Sequence, residues 1–474
     1  MKKNSDSGWK TTEDKKEFLK QLQQNEEIKF VRLWFPDILG NQQCELAVPK
    51  ERITKQTLEE GLGYDGSSVL GHARIEESDK IVIPDIKTAR LLPWTYKTTT
   101  EGFDKTWKEL VAFVDIKNPD KSQYEGDCRF VLKKTLQEIN DKMGVDKINL
   151  GPELEYFLFE ANGMGRPLVK DGRPVIVDFG EYFKGGKFGE VRKESQLLMQ
   201  MMGYEFEYDH HEVAFSQHET DIKYLEALEM ADFVMLYKYI VRKTAKSYGL
   251  FASFMPKPIA GINGSGMHVH QSLMKNGKNI FFDKDDEYNL SLEGKRYMAG
   301  LMKYIPEITS VLNQWVNSYK RLVPGYEAPV YICWDPANRS NLIRKPQYRP
   351  GKEEGTRLEL RSPDPSTNPY LAFALMIQAG VNGITEQLDV PKPTRENVYE
   401  LSEEDRVKKG IKSLPESLEE ALKLTEKSEL VKDVLGKHLF EKFIENKRMH
   451  VKDYKEKVEL AISSYELETL LPIL

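Results

Sequence analysis

The sequence predicts an α+β protein, with a small, mostly β N-terminal domain and a larger α+β domain joined near residues 116–126. Three observations lead there. Up to Ile116, short apolar runs are bounded by Pro, Gly, Asn and Asp, the punctuation of strands and turns. From Asp127 onward, helix-length stretches with capping residues alternate with strand-like runs. The length, 474 residues, exceeds what one core usually serves and suggests roughly two to four domains.

Residues 1–23 form a polar lead-in, within which Glu13–Gln23 reads as a short helix. Ile28–Phe35 reads as a strand ended by Pro36-Asp37, with Gly40-Asn41 beyond, and Glu45–Val48 returns beside it as a hairpin. Leu110–Ile116 supplies another strand. Asp127 caps a helix running to Met143, and Gly144 sits just past its end. Asn149–Glu160 reads as one strand, followed by a glycine-rich excursion over 162–189. Glu190–Met202 is helical, Tyr204–Phe215 alternates as a strand, and Asp221–Tyr248 reads as a long helix closed by Gly249. Asn276-Gly277 between Gly266–Leu273 and Lys278–Phe282 signals a tight hairpin. A helix at Glu293–Leu312, a loop-rich region over 318–356, a strand at Arg357–Ser362 and further helices complete the chain.

Lys plus Arg is 69 against 75 for Asp plus Glu, a net charge of -6, which argues against a nucleic-acid groove as the main business of the chain. No apolar run approaches the roughly 18–20 residues of a membrane span. Cys44, Cys128 and Cys333 are isolated, and Met1–Glu27 lacks an apolar signal core, so free thiols and a cytoplasmic location are expected.

Chemistry gathers in three places. Side chains two apart on a strand share a face, so Glu153 and Glu155 stand side by side. Two like charges about 4 Å apart repel by roughly 4 kcal/mol at an effective dielectric near 20, so something must compensate unless this is a solvated strand edge. Five of eight histidines fall in two windows: His210, His211 and His218 beside Glu212 and Glu219, and His268 with His270, Ser272 following on the same face. Such histidines can simply pack. Beside so many glutamates they suggest a metal or phosphate site, and glutamate oxygens with little His and no Cys suit Mg²⁺ or Mn²⁺ better than zinc. Arg321, Arg339, Arg344, Arg349, Arg357 and Arg361 crowd the loop-rich region, with Glu359 between the last two. A solvated basic face is one reading. Carboxylates for cations beside arginines for anions is the combination phosphoryl transfer needs, and neither a Walker loop nor a kinase glycine loop is present.

These motifs resemble glutamine synthetase, type I. Tyr64-Asp-Gly-Ser-Ser68 resembles the family's N-terminal signature and Gly151–Phe159 its paired-glutamate strand. His210–Ala214, Lys257–Leu273, Asn317–Val330, Asn338–Arg344 and Arg357–Phe373 resemble its other blocks, so the likeness runs over about residues 25–450. The resemblance implies a small β-grasp-like domain over 24–118 after an extension of 1–23. It implies a catalytic domain over 119–474, with a curved antiparallel sheet and surrounding helices. It implies ATP-dependent joining of ammonia to glutamate through γ-glutamyl phosphate. Two or three Mg²⁺ or Mn²⁺ ions would serve each site, one held by Glu155, Glu212 and Glu219 and a second by Glu153, His268 and Glu359. Arg339 and Arg361 would face the transferring phosphate and the glutamate side chain, Arg321 the substrate carboxylate, and Asn263 and Gly264 would complete the amino-acid pocket. His270, Ser272, Arg344, Arg357 and Glu207 would serve ATP. Asp65 would attract ammonium and accept its proton, with Glu327 on the Pro324–Pro329 loop closing the site against water.

The likeness further implies a homo-oligomer, a dodecamer of two stacked hexameric rings with Asp65 acting across a subunit interface. Arg74 resembles an arginine of feedback inhibition. The surroundings of Tyr399 resemble the shorter subclass, in which that tyrosine is not adenylylated. Two rival readings are a ligase that couples glutamate to a larger amine and a non-catalytic regulator with this fold. Asp65 and Glu327 tell against the first, and the complete set of metal-ligand candidates against the second. Two departures stand out. Phe215-Ser216 replaces a small turn between Glu212 and Glu219, which need a bend to share a face, and the tail Glu445–Leu474 lacks an expected tryptophan pattern.

Overall fold

The Thr106–Lys117 strand organises the first half of the molecule. In this computed structural model, which describes residues 9–41, 44–73, 77–102, 104–183 and 188–459, it pairs in parallel with Ile28–Phe35 and antiparallel with Asp79–Pro84. Cys44–Pro49 and Leu62–Asp65 extend the sheet at its two edges. Both faces of the central strand are apolar. Leu110, Ala112, Val114 and Ile116 enter a small core with Ile28, Val31, Leu33 and Phe35, whereas Val111 and Phe113 point the other way into the main core with Trp34. Alternation with period two thus sorts one strand between two cores.

The polar lead-in contributes to the smaller core. Asp14 caps a helix at Lys15–Gln24 by accepting from the Lys16 and Glu17 amides. Phe18 and Leu22, four apart on one face, are buried there with Trp9, whose ring meets Phe18 edge-on at 5.7 Å.

Among the described residues, the second half is a sheet antiparallel throughout except for one parallel pair of two-residue strands, with the buried helices Ala227–Ser247, Leu292–Leu312 and Pro369–Thr385 packed in its core. The expected α+β class and several elements hold, including the Cys128–Met143 helix between its Asp127 cap and the left-handed Gly144. Asn276 and Gly277, at φ 52° and 72°, turn the hairpin their sequence signals.

Three expectations need correction. Asn149–Glu160 breaks at Glu155, because Lys147–Leu154 pairs with Met267–Lys275 while Tyr156 onward pairs with other strands. The stretch read as one strand over Tyr204–Phe215 is the first arm of a hairpin, Phe206–His211, whose second arm is Gln217–Ile222. The long helix therefore starts at Ala227 rather than Asp221, which belongs to that second arm. Arg74 and the tail beyond 459 lie outside the described residues. Among the described residues no helix is long and apolar enough to cross a membrane.

Arg129 joins the two halves. Fully buried on the first helix after the small sheet, it donates to Asp85 and Asp115 of that sheet region at 2.8 Å and to Asp232 of the Ala227–Ser247 helix at 2.9 Å. The Tyr370 hydroxyl donates to the same Asp232 at 2.6 Å. Removing one partner from such a cluster strands buried charge, at a cost of about 3–5 kcal/mol. Arg129→Ala should accordingly lower the thermal unfolding midpoint far more than Asp115→Asn, whose carboxylate is a third exposed, in side-by-side calorimetry.

Candidate functional site

Strand register brings the chemistry together. His268 lies opposite Glu153, Asp221 opposite Glu153 on the other side, and Glu359 opposite His270 and Arg344. Neighbouring strands thus present one row of ionisable side chains to a cleft of about 910 Å³. Of the residues expected there, Glu153, Glu207, Glu212, Glu219, His268, His270, Ser272, Arg339, Arg344, Arg357 and Arg361 line it.

Glu153 receives the His268 Nδ1–H at 3.0 Å and the His270 Nε2–H at 2.8 Å. The Arg357 Nε donates to the other nitrogen of His270 at 3.2 Å. Glu359 is completely buried and gripped by Arg361 at one oxygen and Arg344 at the other. Burial works to raise its pKa, but Arg361, His270 and Arg344 hold it down to about 2.

On the opposite side burial outweighs the compensation. Burial pushes Glu155 up to about 8, helped by Glu212 and opposed by Arg321 and the Gly266 amide. Its Oε2 accepts from Gln217 at 2.7 Å and from the Gly266 amide at 2.8 Å. Glu219 is raised well above the usual range by burial and then by Glu153, Glu155, Asp221 and Glu212. Ligand atoms of Glu153, Glu219 and Asp221 lie within 4.8 Å of one another, as do those of His210, Glu212 and Glu219, and of Glu153, His270 and Glu359. Buried oxygens that raise one another's pKa, with few basic neighbours, are what a hard divalent cation discharges, so the residues fit the implied metal.

The turn over Phe215-Ser216 settles how Glu212 and Glu219 converge. Ser216 takes the left-handed conformation at φ 60°, the Glu212 amide donates to the Gln217 carbonyl at 2.9 Å, and the chain reverses. Phe215 points outward against Phe179, ring centres 5.4 Å apart, so its bulk never enters the bend.

Asp178, His211 and His218 form a further buried group behind this hairpin. Arg192 donates to His218 Nδ1, so His218 Nε2 keeps its proton and presents a donor, not a metal lone pair.

Beside the cleft, Arg321 is buried and tied to the backbone carbonyls of Ser362 and Pro363 at 2.8 and 3.2 Å. The Asn263 amide donates to Glu327 at 2.9 Å, joining the 261–266 loop to the 324–329 loop. A Cβ at position 264 would fall 2.1 Å from the Pro256 carbonyl oxygen, which explains Gly264. Asp65 is exposed at the end of the small sheet's edge strand and does not line its own chain's cleft. Sequence reasoning missed Asp221, mistaken for a helix start. It also missed Tyr182, which lines the cleft with Arg339. The signal for Asp221 was its spacing, two residues after Glu219 on one strand face.

A strand-built cleft that sets buried carboxylates opposite guanidinium groups, next to a smaller sheet domain, has the form of a ligase that activates a carboxylate with ATP. The family model for the glutamine synthetase catalytic domain matches residues 125–468, and that for the glutamine synthetase beta-Grasp domain matches 27–104. The glutamine synthetase of Methanosarcina mazei is 43% identical over 469 residues, 98% of each chain. That of Thermotoga maritima is 41% identical over 458 residues, 96% of this chain and 99% of the other. The cryo-EM structure of Plasmodium falciparum glutamine synthetase superposes with TM-score 0.81 at 25% identity, covering 97% of this chain and 99% of that one. A GmaS–ADP complex superposes with TM-score 0.80 at 28% identity, covering 96% and 99%. The chain belongs to the glutamine synthetase family and is an ATP-dependent ligase that forms glutamine from glutamate and ammonia. The larger-amine and regulator readings are not favoured.

The cleft's electrostatics make cation binding proton-coupled. Glu155 moves from an ordinary 4.5 up to about 8 on folding, so the cation-free native state holds a proton that the unfolded chain has released. Its stability therefore falls as pH rises from about 4.5 to about 8, whereas the lowered Glu359 acts only below about 4.5. Calorimetry in buffers of different ionisation enthalpy should show proton release on adding Mg²⁺ or Mn²⁺ near neutral pH, reduced in Glu155→Gln.

Proposed function

We propose that glutamine is formed here in two steps through γ-glutamyl phosphate, with Mg²⁺ or Mn²⁺ in the carboxylate cluster. The observation that carries this reading is the division of the cleft into a carboxylate side of unneutralised glutamates and a side lined by Arg339, Arg344, Arg357 and Arg361. Glu155, Glu212 and Glu219 would hold one ion, and Glu153, His268 and Glu359 the second. When bound, the ions neutralise charge on the phosphoryl group in transit. Arg339 and Arg361 orient that group and the glutamate side chain, while Arg321 and the Asn263-Gly264 loop hold the amino acid. His270, Ser272, Arg344, Arg357 and Glu207 seat the nucleotide; the structural likeness to an ADP complex supports this.

Asp65 attracts ammonium. The Ser67 hydroxyl and amide and the Ser68 hydroxyl donate to its carboxylate at 2.6, 2.9 and 3.0 Å and lower its pKa, which favours holding a cation over keeping its proton. Because Asp65 lies outside its own cleft, we assign it to a neighbouring subunit's site, in a dodecamer of two hexameric rings. The buried free thiols Cys128 and Cys333 support a cytoplasmic setting.

Glutamate-dependent phosphate release should require a divalent cation and rise with ammonia far more than with methylamine or ethylamine at equal concentration. Equal response to the larger amines would overturn the ammonia reading. Asp65→Asn and Glu359→Gln subunits, each inactive alone, should regain about one quarter of native activity when co-assembled one to one, since sites shared between subunits then pair intact halves. Mixtures that stay inactive would place Asp65 in its own subunit's site.

A further inference from the structure

Two loops meet beside the cleft at the Asn263–Glu327 hydrogen bond, and one side chain reaches both. The Lys257 ammonium donates to the Ile262 carbonyl, one residue before Asn263. The same nitrogen lies 4.0 Å from the centre of the Tyr326 ring, one residue before Glu327. An ammonium over a ring face is held by the ring's quadrupole, more strongly as water is excluded, and Lys257 is only 9% exposed.

Lys257 is itself anchored. Its amide donates to the Asn317 side-chain oxygen at 2.8 Å, and its carbonyl accepts from the Asn317 amide nitrogen at 2.9 Å. Asn317 lies on the short helix that also carries Arg321, so the fastener is referenced to a rigid wall of the amino-acid pocket. The flap needs such help. Pro324, Gly325 and Glu327 are exposed, and Glu327 sits at φ 55°, a left-handed conformation that a non-glycine residue keeps only when its surroundings impose it. At the far end the Tyr399 hydroxyl donates to the Ala328 carbonyl at 3.1 Å, fixing the hinge but not the tip.

We propose that Lys257 is a positioning residue that latches the flap shut by clamping Tyr326 to the Asn263 loop. Its function is to keep water from the acyl phosphate. The inference rests on the reading of Glu327 as the closing residue. If the flap opens early, a water oxygen attacks the γ-carbonyl carbon and the bond from that carbon to the phosphate oxygen breaks. The products are glutamate, inorganic phosphate and a proton, and ATP has been consumed with no glutamine made. The latch therefore governs coupling, not the phosphoryl-transfer step.

The test is the ratio of phosphate released to glutamine formed, measured on the assembled enzyme at saturating ATP and glutamate and limiting ammonia. Native enzyme and Tyr326→Phe, which keeps the ring, should both stay near one. Lys257→Met and Tyr326→Leu should each raise the ratio by roughly three- to tenfold, the size expected for losing a cation–π contact. The double variant should be no worse than Lys257→Met alone, because that substitution already removes the contact that Tyr326→Leu removes. A ratio that stays near one in both single variants, or effects that multiply in the double, would overturn the latch. Tyr326 is only part-buried on a loop, so its variants decide the matter should Lys257→Met fail to fold. Glu327→Ala separates the two levels. If it uncouples the reaction while Lys257→Met does not, the latch alone fails; if it leaves the ratio near one, the flap reading itself is wrong.

Discussion

Glu219 is the point on which the cleft turns. It is buried among Glu153, Glu155, Asp221 and Glu212, and each of these makes its ionisation harder. A sheet can tolerate such a crowd only if protons or cations enter with it, because the repulsion per pair amounts to kcal/mol at the dielectric of a protein interior. The strand break at Glu155, the reversal at Ser216 and the cross-strand register of His268 all serve to bring those oxygens into one place. The arrangement sacrifices stability for affinity, which is common where a site must hold charge that arrives with its ligands.

The two halves of the cleft settle their charge differently. Glu359 is already neutralised by Arg344 and Arg361, whereas Glu155 and Glu219 are not. The pair of guanidinium groups on Glu359 leaves that carboxylate ionised in the native state, whereas the opposite carboxylates carry their excess charge or a proton.

Much of this was legible in the chain because single residues announced it. Pro36-Asp37, Asp127, Gly144 and Asn276-Gly277 marked element ends through requirements that few other residues meet, and Ile28–Phe35 and Cys128–Met143 match the expected bounds. The convergence of Glu153, Glu212, Glu219, His268 and Glu359 could be sensed as clusters, but the cross-strand pairings that unite them, Asp221 with Glu153, His270 with Glu359 and His268 with Glu153, join positions far apart in the chain. Local pattern misled at Asp221, where an acid ahead of a helical stretch looks like a cap. The true helix begins after Glu226 without any side-chain cap. Leu62–Asp65 and Asp79–Pro84 escaped notice because they are short and bounded by Gly and Pro, and only their neighbours make them strands. Trp9, Phe18 and Leu22 were hidden in a lysine- and glutamate-rich segment whose few apolar residues all face one way.

The Thr106–Lys117 strand, with Val111 and Phe113 on one side and Leu110, Ala112 and Val114 on the other, belongs to both cores at once. Excising the first hundred-odd residues would bare one face of that ribbon to water, and excising the remainder would bare the other, with Val111 and Phe113. The halves are therefore not separable modules in the manner of beads on a string. The placement of Asp65 relative to the catalytic body is inherited from folding itself, and an assembly that relies on one subunit presenting that carboxylate to the next can treat each protomer as a stiff building block.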